Sequence, residues 1–280
     1  MLLGSIIVIS LLTAGCVGYA ATAFADLAWL WIVPLSFVGA FVALLVLALV
    51  FLLAVIQPLK SDAVRETDSR FYRTVTNLYI DLIITLVGLR IETKGLEKRP
   101  TEGRFMLVSN HLHEIDPGIL MRFFPKSQLA FIAKKEVKDM FLVGKILPQL
   151  LSQFIDREND REALKTILRS IQILKDDRAS IGVFPEGGIN NQRKFKHFRP
   201  GVFKIAQKAK VPIVVCTLRN THNVLRDVLH FKRPHVSMHV LEVVQPEWME
   251  GKTTVEIADY IYGVMAEDLG PENCYVEENT

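Results

Sequence analysis

The first 59 residues contain no lysine, arginine, glutamate or histidine, and a single aspartate, Asp26. Such poverty of charge excludes a soluble domain for this stretch, because a water-facing surface needs polar groups that it does not have. Residues 2–25 and 27–56 each exceed the roughly 20 apolar residues that cross a bilayer, with Asp26 between them and Pro58 closing the second. Residues 1–59 are therefore expected to form a transmembrane helical hairpin. All 33 lysines and arginines lie at or beyond Lys60. Lys60, Arg65, Arg70 and Arg73 follow the second span closely, so the positive-inside rule places the rest of an integral membrane protein on the cytoplasmic face. For the first span a cleaved signal is the alternative, since Thr13-Ala14-Gly15-Cys16 sets small residues before a cysteine. The charged leader of such signals is missing, however, and Thr13 stands where a lipoprotein signal has leucine.

Cysteine is also scarce. Cys16, Cys216 and Cys274 have no metal-ligand spacing and offer no disulfide framework, which fits a reducing compartment. The net charge of +3 is too small to argue for a nucleic-acid partner, whereas a mildly basic surface suits anionic lipid headgroups. No internal repeat, low-complexity linker or second soluble domain is visible.

Residues 60–90 form a membrane-proximal segment. Phe71, Tyr72, Val75, Leu78, Tyr79, Leu82, Ile83 and Leu86 recur at spacings of three and four, with Arg70, Arg73, Asn77 and Asp81 on another face. That is an amphipathic helix, equally suited to the lipid interface or to packing on the following domain. Residues 91–280 alternate short apolar runs with helical patterns, the signature of an α/β domain with a mixed, largely parallel sheet flanked by helices. Strands are expected at 90–93, 105–108, 129–133, 153–155, 180–184, 213–218 and 235–244. Helices are expected at 117–124, 138–147, 160–175, 202–208 and 254–269, the third opening with a cap-like Asn159 and Glu162 three later.

Three places can carry chemistry. His111 and Asp116 flank a sharp strand-to-helix turn, Val108-Ser109-Asn110-His111-Leu112-His113-Glu114-Ile115-Asp116-Pro117. A carboxylate that holds one imidazole nitrogen makes the other a better general base. The plainer alternative is that Asp116 caps the helix begun by Pro117 while His111 is an ordinary turn histidine. No G-x-S-x-G is present, so no protein nucleophile is evident. Phe184-Pro185-Glu186-Gly187-Gly188 leads a strand into a turn whose glycines can turn backbone N–H groups toward an anion, although a plain turn reads the same way. Arg157 is a candidate phosphate ligand, or else a surface partner of Asp156 or Glu158. The basic and aromatic run at 190–201 suits a phosphate, an anionic lipid surface or a solvated loop.

Taken in order, Asn110-His111-x4-Asp116, Phe154-Ile155-Asp156-Arg157, Phe184-Pro185-Glu186-Gly187 and Val211-Pro212-Ile213-Val214 resemble the motif blocks of the 1-acylglycerol-3-phosphate acyltransferases, in the glycerolipid acyltransferase family. The resemblance covers roughly residues 91–218. It implies His111 as general base, Asp116 as its partner, and Arg157, Glu186, Gly187 and Gly188 in the acceptor site. Lys134 and Glu136 resemble a further segment near that site. The implied reaction transfers an acyl group from acyl-CoA or acyl carrier protein, as co-substrate and possible partner, to the 2-hydroxyl of a lysophospholipid at the membrane. It gives phosphatidic acid for phospholipid biosynthesis with no covalent enzyme intermediate, cofactor or metal.

This chain departs from the resemblance where Thr-Arg-Ser normally follows Glu-Gly, for it carries Gly188-Ile189-Asn190. Arg193 or Lys194 would have to reach back to replace the missing guanidinium, or else the acceptor is another lysolipid. Cys216 and Leu151 also replace the usual proline and glycine. Two other readings are a metal-dependent hydrolase, from His111-x-His113 with Asp116 and Glu186, and an inactive lipid-binding scaffold. The first has the wrong ligand spacing, since Asp116 falls one residue late and Pro117 stands in place of a histidine.

Overall fold

The structure is a computed structural model of the whole chain and describes residues 1–21, 29–189 and 194–274. Asp26 and Arg193, both singled out above, lie outside the described residues. Helix α1 (Leu2–Ala21) packs on α2 (Trp29–Ile56), and both are long and apolar enough to cross a membrane. At 1.5 Å per residue the 28 residues of α2 extend roughly 42 Å, against a hydrocarbon core of about 30 Å. The side of α1 made by Ile6, Ser10, Ala14 and Gly18 is buried, one residue per turn. At Gly18 the approach is so close that a Cβ would stand 2.5 Å from Val33 Cγ2. Leu11, Leu12, Val42 and Leu47 face outward, so the hairpin is apolar on its exposed surface as well.

Helix α3 (Arg70–Leu86) is capped by Ser69, whose hydroxyl accepts from Tyr72 N. One side of it is packed and another keeps apolar side chains exposed. Val75, Leu82 and Ile84 are buried, while Phe71, Ile83 and Leu86 remain exposed. Arg73 is not on a solvated face. It is buried, donating twice to Asp68 at 2.7 Å and once to Leu129 O at 3.1 Å, and so fastens the helix to the domain.

The domain follows as β1 (Arg90–Lys94), β2 (Met106–Ser109), α4 (Asp116–Phe123), β3 (Ala130–Lys134), the short α5 (Val143–Ile146), β4 (Gln153–Ile155), α6 (Asp160–Lys175), β5 (Ile181–Val183), α7 (Lys204–Ala209), β6 (Ile213–Arg219), α8 (Val224–Leu229), β7 (His235–Val244) and α9 (Thr254–Leu269). The seven-stranded sheet has the order β1-β7-β6-β2-β5-β3-β4, parallel throughout except for β6 against β7. Side chains alternate between its faces. Met106, Val108, Ile181 and Val183 pack with Ile173, Leu174, Ile257 and Ile261 of α6 and α9. Leu107, Val214 and Met238 pack on the other face with Ile119 and Leu120 of α4 and Ile84 of α3.

All seven expected strands are present, with ends shifted by a residue or two. The long helix expected at 138–147 is replaced by a 3-10 turn (Lys135–Asp139), the single turn of α5, and a second 3-10 turn (Leu147–Leu150). Gly144 passes so close to Lys138 that a Cβ would meet its carbonyl oxygen at 2.2 Å, and Pro148 has no N–H to continue a helical ladder. Helix α8 was not expected. Asn159 caps α6 by accepting from Glu162 N, but Glu162 turns outward to Lys165 rather than back to the cap. The reciprocal capping box belongs instead to Thr253 and Glu256 at the start of α9.

Candidate active site

Strands β2, β5, β3 and β4 are neighbours, and their carboxyl ends deliver every described candidate residue to one edge of the sheet. His111 and Asp116 follow β2, Glu186 to Gly188 follow β5, Lys134 ends β3 with Glu136 beyond it, and Arg157 follows β4. In open α/β sheets such an edge is where ligands bind.

The turn after β2 is built by two buried polar side chains. Asn110 donates to Leu218 O at 2.8 Å and accepts from Leu218 N at 2.7 Å, which stitches the exit of β2 to β6. Asp116, wholly buried, gathers the loop onto one oxygen: Oδ2 accepts from Leu112 N at 2.7 Å and His113 N at 2.8 Å, and lies 2.9 Å from His111 Nδ1. Asp116 thus reaches back from the first turn of α4 instead of capping it, and the cap position, Ile115, has no side-chain hydrogen bond. With Nδ1–H directed at a carboxylate, Nε2 is the basic nitrogen of the imidazole. Phe184 stacks on the imidazole at 4.1 Å between ring centres and is itself stacked on Phe131, which fixes the plane of the ring. Ser109 is buried, its hydroxyl donating to Asn110 O, and so is withdrawn from chemistry.

Glu186 faces inward. Its two oxygens accept from His111 N at 2.7 Å and Lys196 N at 2.9 Å, so it braces the turn after β2 against the segment after β5. Burial pushes its carboxyl up to about 8, against the pull of those two N–H groups. Gly187 and Gly188 adopt φ of +82° and +141°, a course that glycine permits, and Gly187 N–H donates to Phe184 O at 3.1 Å.

Arg157 does not pair with its neighbours in sequence, because Lys135 and Glu158 N take the Asp156 carboxylate and Lys135 also reaches Glu158. It points instead toward the Gly187 turn, where Arg199 meets it. Arg199 was indicated by sequence only as one member of a basic run. Lys134 and Glu136 pair with each other at 3.0 Å, which holds Glu136 below the ordinary carboxylate range.

Two cavities adjoin these groups. One of about 220 Å³ is lined by His111, Lys134 and Arg157 and otherwise mainly by apolar side chains, including Phe131, Val137, Met140 and Leu147. The second, about 330 Å³, contains Arg157 and Arg199 with Gly187, Ile155 and Leu164. Arg157 and Phe184 line both. A wider concavity of about 510 Å³ lies by Arg99, Arg104 and Asp177, at the amino ends of β2 and β5, and is remote from His111. Among the described residues no three histidine, cysteine, aspartate or glutamate side chains converge as a metal site requires.

An α/β sheet with a histidine–carboxylate pair at its carboxyl edge and an apolar cavity beside it is a site suited to proton transfer on a hydrophobic substrate. Residues 90–219 match the family model Acyltransferase. The chain is 26% identical to the 1-acyl-sn-glycerol-3-phosphate acyltransferase of Saccharomyces cerevisiae, over 72% of this chain and 64% of the relative. It is 34% identical to a probable 1-acyl-sn-glycerol-3-phosphate acyltransferase of Mycoplasma pneumoniae, over 50% of this chain and 53% of the relative. The chain thus spans about half to two thirds of the length of these curated relatives. The crystal structure of the 1-acyl-sn-glycerophosphate (LPA) acyltransferase PlsC from Thermotoga maritima shares the fold, with a TM-score of 0.59 at 20% identity, over 74% of this chain and 81% of that one. Across residues 90–219 the α/β domain is thus similar to acyltransferases, and its fold is that of the Thermotoga maritima enzyme.

Proposed function

We propose that the chain moves a fatty acyl group from a thioester to the 2-hydroxyl of 1-acylglycerol-3-phosphate, giving phosphatidic acid. The observation that carries this reading is the 2.9 Å contact between His111 Nδ1 and buried Asp116, at the wall of an apolar cavity. His111 Nε2 takes the hydroxyl proton as that oxygen attacks the thioester carbonyl carbon. Asp116 stabilises the imidazolium that forms. Collapse of the tetrahedral intermediate breaks the carbon–sulfur bond, and the departing thiolate takes the proton back from Nε2. No acyl-enzyme, metal or resident cofactor enters the reaction. The relatives named for this activity support the acceptor, and the apolar cavity supports a lipid chain beside the base. The donor is acyl-CoA or acyl carrier protein, which a comparison of the two at fixed acyl chain distinguishes.

Helices α1 and α2 support attachment to a membrane, which supplies the acceptor and receives the product. Lys60, Arg65 and Arg70 after α2 favour the cytoplasmic face. Arg73 drops out of that argument because it is buried on Asp68. Membranes containing the chain, given acyl-CoA and lysophosphatidate, are expected to form phosphatidic acid, and those containing His111→Ala are not. Equal rates at equal protein level would overturn the reading.

A further inference from the structure

Helix α8 and the turn that ends it follow the carboxyl end of β6, which runs parallel to β2, so they stand on the sheet edge that carries His111. Val224 fastens the helix to the core, yet Leu225 and Leu229, one turn apart on its outer side, are 59% and 68% exposed. Phe231 is exposed completely. Lys232 N donates to Asp227 O and Phe231 N to Val228 O, the paired bonds that close a helix through one left-handed residue. Phe231 is that residue, with φ of +55°, where glycine is usual, and a bulky ring there costs conformational energy that glycine would not. Basic side chains interleave with these apolar ones: Arg226, Lys232 and Arg233 are exposed. Arg226 Nε lies 3.8 Å from Asp227, and Arg233 Nε donates to Gly88 O at 3.1 Å. The second bond ties the tip to the far end of α3, whose Ile83 and Leu86 are also exposed and whose Tyr79 hydroxyl donates to Ala48 O of α2. Large apolar side chains held in water among cations mark a docking surface, and their chemistry fits a lipid interface.

We propose that the α8 tip is a membrane contact separate from the hairpin, which seats Leu225, Leu229 and Phe231 in the interface of an anionic bilayer with Arg226 and Lys232 at the headgroup phosphates. It rests on the reading of α1 and α2 as membrane-embedded. Neither of those helices carries a charged side chain, so the hairpin holds the chain to a bilayer whatever the lipid charge. The tip adds a dependence on anionic lipid, because each cation near a negative surface gains from its potential. Through its place beside β6, the tip also holds the edge with His111 against the lipid that contains the acceptor.

The test uses the full chain with Cys16→Ser and Cys274→Ser, leaving Cys216 buried and unlabelled, in nanodiscs of phosphatidylcholine alone or mixed with phosphatidylglycerol. A nitroxide on Leu229→Cys reports collisions with oxygen, which concentrates in the bilayer, and with a water-soluble nickel chelate. In the mixed discs oxygen contact is expected to exceed nickel contact at Leu229→Cys, as it does at Val42→Cys on α2. A label on Glu102→Cys, exposed at the amino ends of the strands, reads water. Phe231→Ser is expected to weaken docking roughly ten- to a hundredfold, the worth of burying one such side chain. Lys232→Gln weakens it roughly fivefold, in the anionic discs alone. Leu229→Cys in water in both discs, with Val42→Cys in lipid, would overturn the tip and spare the hairpin. Val42→Cys in water overturns the hairpin and the tip with it. Insertion indifferent to phosphatidylglycerol overturns the anionic-lipid assignment. Shielding of Leu229→Cys from both reagents marks cover by protein, whether a second copy or another chain, and overturns the lipid as occupant.

Discussion

Among the described residues, two histidine–aspartate pairs of the domain have the same length. His111 Nδ1 lies 2.9 Å from Asp116, and His239 Nδ1 lies 2.9 Å from Asp268. Their surroundings differ. Asp116 is wholly buried and shares its bonded oxygen only with two backbone N–H groups, while the imidazole borders an apolar cavity. Asp268 is divided among His239, the Thr217 hydroxyl at 2.6 Å and Arg219 at 3.3 Å. His239 stands in mid-strand, in register with Lys94 of β1 and Thr217 of β6. A histidine–aspartate contact is therefore not a catalytic signature by itself. What separates the pairs is that one leaves a basic nitrogen beside a substrate-sized space at the carboxyl edge of the sheet, and the other knits strands to a helix.

The largest expected effect follows from that contrast. His111→Ala is expected to lower kcat by about 10²- to 10⁴-fold, the usual worth of a positioned general base. Asp116→Asn does comparable damage, because the neutral amide cannot stabilise the imidazolium as the carboxylate does, and its NH2 falls at the buried Oδ1 position, which has no hydrogen-bond partner. His239→Ala leaves kcat within about twofold, since a general base is not what it supplies. Phosphatidate formation by the three variants at matched expression checks this, and a His239→Ala loss as deep as that of His111→Ala would erase the distinction.

Next comes Glu186, which holds the first pair in place and has no counterpart at the second. Its folded pKa is raised from the usual 4.5 to about 8, so the native state keeps a proton that the unfolded chain gives up over that interval. The stability this contributes is complete below pH 4.5, falls as pH rises, and is gone above about 8. Glu186→Gln removes the titration and flattens that slope. Above about pH 8 it also costs about 1–3 kcal/mol, because there the native carboxylate accepts through both oxygens while an amide accepts through one only, and one of the two buried N–H groups loses its partner. Unfolding midpoints in detergent at pH 5, 7 and 9, compared with wild type, measure both consequences.

The first pair was legible in sequence because its members lie five residues apart on one turn between apolar and helical patterns. The second was not, because His239 and Asp268 are brought together only by the packing of α9 on β7. The same limit explains the rest. Strands announced themselves by apolar runs, and the hairpin by its lack of charge. The helix expected at 138–147 failed because periodicity does not register that Gly144 must pass within contact of Lys138. Arg157 was visible beside its strand, but its meeting with Arg199 depends on a turn that brings together residues 42 apart in the chain. Arg73 looked like a polar-face residue since helical spacing alone does not show that Asp68 and two carbonyls wait behind the helix.

Thr217 gives the smallest effect and the finest probe of the second pair. Burial alone would raise the pKa of Asp268, but hydrogen bonds from Thr217 and His239, and the charges of His239 and Arg219, hold it below the ordinary value. A depressed carboxyl contributes stability that is present above its unfolded pKa and lost as pH falls through the folded one. Thr217→Val keeps the shape and deletes one of those donors, so it is expected to cost about 1 kcal/mol near neutral pH. The penalty should shrink on acidification, as Asp268 takes up its proton and the missing donor matters less. Since Thr217 lies on the strand-knitting pair, kcat should stay within about twofold of wild type. Unfolding at pH 7 and pH 3 alongside turnover at pH 7 reads all three quantities. A deep loss of turnover with unchanged stability would mean that the second pair reaches the chemistry after all, through the Asn110–Leu218 bonds that join β6 to the turn of the first pair.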